Sequence, residues 1–283
     1  MTLTVKRFPQ LFFIFLACSL LSACAQHIFH PNSRMWQNTP TNIGYTYKNH
    51  FIKANDGVLL NFWQLRTQHK KPLGAVLYFH GNSHNISAHL PQIAWLLEAG
   101  YDVVMADYRG FGASQGQLSL SKSADDMQQV MAWFLYHYDG KNTWLLGQSL
   151  GAALSAYVAG HDKTLRHAFN GVILDSGFSS FRSIGQDVFA RSWFTWAAQH
   201  PLSWFMPKGY DAKTHIAKFS PTPLLILHSK EDTIVPYYHG EALYKAAKEP
   251  KALITYGGWH VQGFKIEEVR EQVFAFMRAS AKQ

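Results

Sequence analysis

The sequence predicts an α/β fold: a mostly parallel sheet with helices on both faces, preceded by an antiparallel hairpin. Three observations carry this. From about residue 75 onward, short apolar runs alternate with longer stretches of helical periodicity, the order that builds successive βα units. Those short runs are apolar almost throughout, as strands covered on both faces are. Ahead of them, Asn55-Asp56-Gly57 divides two strand-like segments at 43–53 and 58–65, and an Asp-Gly pair so placed is a hairpin signal.

The elements follow in order. Ala75–Phe79 reads as a buried strand and Ala88–Glu98 as a helix, with Pro91 tolerable in its first turn and Gly100 closing it. Tyr101–Asp107 is a strand. Ala124–Tyr138 carries Met127, Val130, Met131, Phe134 and Leu135 at helical spacing. Strand Trp144–Leu146 leads into helix Gly151–Ala159, and strands follow at Gly171–Asp175 and Pro223–His228. Helix Gly240–Lys248, strand Leu253–Tyr256 and helix Ile266–Met277 complete the domain, taken as 43–283. Residues 178–219 break the rhythm. This stretch is aromatic, helix-prone over Val188–Gln199 and interrupted by Pro201 and Pro207. A structureless loop of that length is unusual, so it reads as a small helical cap over the carboxyl edge of the sheet, where open α/β sheets bind ligands.

The chemistry centres on Gly147-Gln148-Ser149-Leu150-Gly151, a Gly-x-Ser-x-Gly pentapeptide between an apolar strand and a small-residue helix. A sharp strand-to-helix turn needs small neighbours and would present the Ser149 hydroxyl at the top of the sheet. The Leu150 N–H, at the helix start, would face a developing oxyanion. A glycine loop with no chemistry is the bland alternative. A serine hydroxyl needs a base, and the base needs a carboxylate to orient it. Among fifteen histidines, position selects His260, which follows the last strand and two glycines and precedes the final helix. Asp232, past strand 223–228, is the favoured acid because it gives the chain order Ser, Asp, His. Asp175, at the end of the preceding strand, is the second candidate, and Glu231 reads as a solvent-facing neighbour. The second oxyanion donor falls in His80-Gly81-Asn82-Ser83, with Asn82 first and Ser83 as substitute. His80, His84 and His89 do not share one helix face and lack a paired carboxylate or cysteine, so no metal site is expected. Gly110-Phe111-Gly112 lacks a third glycine and strand–helix framing, so no dinucleotide or other cofactor is expected. The aromatics Phe178, Trp193, Trp196 and Trp204 are candidates for an apolar substrate pocket.

HGN at His80–Asn82, DYRGFGAS at Asp107–Ser114, GQSLG at Gly147–Gly151, SKEDTIVP at Ser229–Pro236 and GGWH at Gly257–His260, taken in order, resemble the α/β-hydrolase superfamily. Within it they resemble the compact, short-capped, often membrane-associated serine hydrolases. The likeness spans residue 43 to the C-terminus. It implies an eight-stranded, mostly parallel sheet and bracing roles for Asp107 and Arg109. It also implies acyl transfer from an ester, thioester or amide to water through Ser149, Asp232 and His260. Relatives often carry Ala-Gly where this chain has Ser83-His84, and a Glu-Ser-Pro-like segment where Asp175-Ser176-Gly177 stands.

The N-terminus reads as an export signal: Lys6 and Arg7, then the apolar run Leu11–Leu21, too short to span a bilayer comfortably. Leu21-Ser22-Ala23-Cys24 resembles the lipobox of bacterial lipoproteins, which implies a signal at 1–23, acylation of Cys24 and a tether at 24–42. Ordinary cleavage at the small residues around Ala23 is the alternative. Only Cys18 and Cys24 occur, so the mature chain contains no internal disulfide. Ala25 rather than Asp after the cysteine fits an outer-membrane protein facing the periplasm, with the inner membrane as alternative. The net charge is +8; scattered positives without zinc-finger or RNA-binding motifs argue for an anionic surface rather than nucleic acid. The reading is a lipid-anchored serine hydrolase of the cell envelope acting on a small acyl substrate. A peptidase or lipase of the same fold, or a non-catalytic lipoprotein using the fold as a scaffold, are the alternatives.

Overall fold

The computed structural model describes residues 30–33 and 39–282. The signal segment 1–23, the lipidation candidate Cys24 and most of the tether lie outside them. In chain order the elements are β1 (His30–Pro31), β2 (Tyr47–Lys53), β3 (Leu59–Leu65), β4 (Gly74–Phe79), β5 (Ser83–His84), α1 (Ile86–Glu98), β6 (Tyr101–Ala106), α2 (Leu120–His137), β7 (Thr143–Gln148), α3 (Leu150–His161) and β8 (Gly171–Asp175). Then come α4 (Phe181–Ala190), α5 (Trp193–Trp196), α6 (Gln199–Ser203), α7 (Ala212–His215), β9 (Leu224–Ser229), α8 (Tyr238–Ala246), β10 (Lys251–Tyr256) and α9 (Glu267–Ser280).

Eight strands form one sheet in the order β10-β9-β8-β7-β4-β6-β3-β2. Pairing is antiparallel for β2 with β3 and β3 with β6, and parallel elsewhere. The hairpin turns at Gly57, whose φ of 88° suits glycine. Strand side chains alternate strictly between two cores. Leu77, Val104, Leu145, Val172 and Ile226 face one, packed by Met127, Val130 and Phe134 of α2 and Leu154 of α3. Val76, Val103, Leu146, Ile173 and Leu225 face the other, packed by Leu90 and Ile93 of α1 and Val273 and Met277 of α9. All ten of these strand residues are buried, which is why the strands read as continuous apolar runs. Truncating one such Leu or Ile to Ala costs about 2–5 kcal/mol.

Two small differences from the sequence reading have local causes. Ile43, expected to open the first strand, instead ends a short 3-10 turn, Pro40–Ile43, closed by Gly44 at φ 84°, so pairing begins at Tyr47. The helix expected at Val188–Gln199 is instead three pieces. It begins earlier, at Phe181, because the Ser180 hydroxyl accepts the Ser183 amide and caps it. It stops at Ala190, and Ser192 takes an extended conformation before α5. The segment between β8 and β9 thus holds α4, α5, α6 and α7 at the carboxyl edge, with α4 packed on α6.

An N-terminal strand adds to this edge. β1 pairs in parallel with β5, and the Asn32 carbonyl accepts the Gly112 amide and the Asn85 side chain. His30 therefore lies beside the loop after β4.

Candidate active site

The turn after β7 is built by exclusion. Ser149 has φ 52° and ψ −113°, a conformation that side-chain-bearing residues rarely adopt. A Cβ on Gly147 would lie 2.5 Å from the Gly151 oxygen. A Cβ on Gly81, across the gap, would lie 3.5 Å from the Ser149 Cβ, so the loop after β4 lies directly against the serine. The turn is stitched to its surroundings by the Ser149 amide donating to the Asp175 oxygen at 2.8 Å and by the Ser149 carbonyl accepting the Ala153 amide at 3.1 Å.

His260 sits on the loop after β10. Gly258, at φ 105°, lets the chain reverse, and its carbonyl accepts the Ser229 hydroxyl. Glu231 does not simply face water; its carboxylate accepts the Gly258 amide at 3.0 Å and helps fix this loop. The imidazole Nδ1 donates to Asp232 Oδ2 at 2.6 Å. The other Asp232 oxygen accepts the Ile234 and Val235 amides at 2.9 and 2.8 Å. Burial pushes the Asp232 carboxyl up, but the His260 hydrogen bond and charge, with the two amides, outweigh it and hold the pKa below the usual carboxylate value.

Asp175, the second acid candidate, has other partners. It is fully buried and accepts Gln148 Nε2 at 2.8 Å and the Tyr256 hydroxyl at 2.9 Å. Gln148 in turn accepts the Tyr78 hydroxyl at 2.6 Å. Burial raises the Asp175 pKa, as expected of a carboxyl held in a dry network.

Around the loop after β4, His80 is buried, with Nδ1 donating to the Gly81 oxygen at 2.7 Å and Nε2 3.2 Å from Asp107. Its ring stacks on His89 with centroids 5.1 Å apart. Burial, reinforced by the neighbouring His80, drives the His89 pKa down to about 3. Among the described residues no group of three His, Cys, Asp or Glu side chains could hold a metal ion. Arg109 clamps Asp126 at 2.6 and 2.7 Å and reaches Asp56 of the hairpin at 2.9 Å, tying α2 to the β2–β3 turn below the site.

Ser149 and His260 line one cavity of about 610 Å³, together with Asn82, Ser83 and Leu150. Leu150 begins α3, so its N–H has no intrahelical acceptor. Beyond His89 and Gln148, the rest of the wall is largely apolar, with Phe178 from the loop after β8, Phe181, Ile184, Val188 and Phe189 from α4, and Met206 beyond α6. Phe178 is thus placed where the sequence reading put it, whereas Trp193, Trp196 and Trp204 are not part of this wall. They are 79%, 62% and 57% exposed, because α5 and α6 turn their large rings away from the sheet. Ile184, Val188 and Met206 were missed as wall residues. The first two repeat with Phe181 at helical spacing, a signal present in the sequence once the helix start at Ser180 is recognised.

A sheet of this order, with a strained serine at the end of β7 and its helix behind, is the α/β-hydrolase fold, and hydrolases are the class it defines here. Residues 70–211 match the family described as serine aminopeptidase, S33. The uncharacterized protein YfhR of Escherichia coli (strain K12) is 31% identical over 286 residues, 96% of this chain and 95% of its own. The chain belongs to this S33 hydrolase family. A lysophosphatidylserine lipase, ABHD12 of Xenopus tropicalis, is 29% identical over 190 residues, 64% of this chain and 48% of its own. The Pyrococcus furiosus esterase Pf2001 is similar in fold, with a TM-score of 0.72 at 22% identity over 89% of this chain and 97% of its own.

Proposed function

We propose that this protein is a serine esterase, attached to the bacterial envelope through acylated Cys24, that hydrolyses esters of apolar acyl groups. The observation that carries it is the 2.6 Å His260–Asp232 hydrogen bond at the mouth of the cavity that also exposes Ser149. His260, with Nδ1–H fixed by Asp232, has Nε2 left to take the Ser149 proton as Oγ attacks the acyl carbonyl. The carbonyl oxygen becomes the oxyanion, facing the Leu150 and Asn82 N–H groups. His260 then delivers the proton to the departing alkoxide. Water, deprotonated by the same imidazole, attacks the acyl-enzyme and releases the acid and free serine.

The wall argues for an ester over an aminopeptidase substrate. No Asp or Glu is among the described residues lining the cavity, so no carboxylate there offers an ion pair to a free α-ammonium group, while the apolar wall suits an acyl chain. The relative named as a lysophosphatidylserine lipase points the same way. The lipobox-like Leu21–Cys24 supports the anchor, and Ala25 supports an outer-membrane, periplasm-facing position.

A fluorophosphonate probe should label the native chain at Ser149 and leave Ser149→Ala unlabelled. Folded native protein that takes up no label would favour a scaffold without chemistry. Fatty acid attached to the native chain but absent from Cys24→Ala tests the anchor separately.

A further inference from the structure

The outward side of the helical segment between β8 and β9 has a composition that solvent exposure alone does not explain. Among the described residues, Trp193, Phe194, Trp196, Trp204 and Phe205 are each 57–79% exposed. They lie on or beside α5 and α6, which pack with α4 into one small layer, and Trp193 and Phe194 stack with ring centroids 3.7 Å apart. Isolated exposed apolar residues are ordinary; five large aromatics in one layer mark a surface that meets something.

Charge indicates what it meets. Arg182, Arg191, Lys208, Lys213 and Lys218 are the basic side chains of 178–219, against only Asp187 and Asp211. Both acids are engaged inward: Asp187 accepts the Tyr238 hydroxyl and His239 Nε2, and Asp211 accepts the Phe181 amide. Arg182 lies over the Trp204 ring at 5.9 Å. With Lys208 it lines a second, outward-facing hollow of about 400 Å³. Met206 walls both this hollow and the catalytic cavity, so the two open side by side. Aromatic rings flanked by cations with no carboxylate partner among the described residues are what an anionic lipid interface selects.

Chain connectivity agrees. The described chain enters at β1, which pairs with β5 at the rim of the same cavity. His30 lies six positions after Cys24, a span of at most about 22 Å when fully extended. An acyl group on Cys24 would therefore keep this rim near the bilayer.

We propose that the aromatic face of α5 and α6 docks onto an anionic lipid bilayer, with Arg182 and Lys208 meeting lipid phosphates and the cavity mouth held against the acyl region. The anchoring clause rests on the reading of Cys24 above; the docking face does not, and neither depends on the chemistry of Ser149.

The test uses the full chain reconstituted on vesicles whose lipids carry bromine on the acyl chains, which quenches tryptophan on contact. On phosphatidylglycerol vesicles the native chain should lose emission comparable to the share of three of its nine tryptophans. The variant Trp193→Ser/Trp196→Ser/Trp204→Ser should show no such loss. Arg182→Glu with Lys208→Glu should keep its tryptophans yet require about tenfold more phosphatidylglycerol for the same quenching, and added salt should weaken the native chain similarly. Native emission equally unquenched on phosphatidylglycerol and phosphatidylcholine would overturn the proposal. So would quenching that survives in the triple variant. A native chain that self-associates with rising concentration through these tryptophans, without quenching by lipid, would assign the face to a second copy instead. Ser149→Ala should quench like the native chain, which separates this result from failure of the esterase reading.

Discussion

Gly151 stands so close to the end of β4 that a methyl group on it would come within 2.2 Å of the Phe79 carbonyl oxygen, and 2.7 Å of the next one at His80. Those obstacles are backbone atoms and cannot rotate away. Gly151→Ala must therefore move the start of α3 relative to the loop after β4, the two segments that carry Leu150 and Asn82. Because donor alignment is worth about 3–4 kcal/mol per oxyanion hydrogen bond, kcat should fall by roughly a hundredfold or more. Ester hydrolysis by the purified variant checks this, with circular dichroism to show that it is folded; near-native kcat would remove the steric account of the turn.

Asp232→Asn keeps the shape of the side chain but removes the charge and favours the wrong imidazole tautomer in His260. Loss of about 10³–10⁴-fold in kcat is expected. Asp175→Asn, which alters the buried Gln148–Tyr256 network, should instead mainly change stability. If Asp175→Asn costs the larger factor in kcat, the acid has been assigned to the wrong strand.

Stability should decline with acid in a window set by His89. Folded, its pKa is held at about 3 by burial; unfolded, it titrates near 6.5. Between those values the unfolded chain takes up a proton that the folded chain does not. The contribution is therefore complete above about pH 6.5 and lost progressively as the pH falls toward 3. His228 and His239, also lowered chiefly by burial, act in the same sense. Asp232 adds a loss at still lower pH, as its depressed folded pKa is approached. Urea unfolding at pH 7 and pH 4.5 reads the effect. His89→Gln should shrink the difference by roughly 2–3 kcal/mol, and an unchanged difference would exclude His89 as its source.

Asp187 holds α4 over the cavity by accepting the Tyr238 hydroxyl at 2.6 Å and His239 Nε2 at 2.8 Å. Asp187→Ala strands a buried imidazole N–H, at a cost of about 1–3 kcal/mol. It should raise KM several-fold for a medium-chain ester while Ser149 still reacts with a small fluorophosphonate. Equal loss of both would mean that α4 supports the serine itself rather than the acyl wall.

Ile184→Trp should fill part of the apolar wall. Octanoyl ester hydrolysis should fall roughly tenfold or more relative to acetyl ester. The ratio of the two kcat/KM values is the measurement, and an unaltered ratio would place the acyl chain elsewhere.

Much of the architecture was legible because each central strand is covered on both faces, which leaves its sequence apolar without interruption. The order Ser149, Asp232, His260 was legible because each residue follows a strand and glycines surround two of the three. Contacts between distant side chains were not. Tyr78, Gln148, Asp175 and Tyr256 form one buried chain across separations of 27 to 81 residues, and no local pattern announces it. The tryptophans show the other limit: an aromatic cluster announces an apolar surface, but not whether that surface turns toward a cavity or away from it. Helix phase decides that, and the phase was set by Ser180 and Ser192, two short polar residues inside an aromatic run.

The sheet ends on one side at β2, whose outer edge has no neighbouring strand among the described residues yet carries Phe51 at 49% exposure. Lys48 and Lys53 are exposed on the same strand. Crowding many copies into a thin layer would bring such rims together, and aligning two of them would press ammonium groups against one another as water leaves. Like charge on this rim works against strand pairing between two copies.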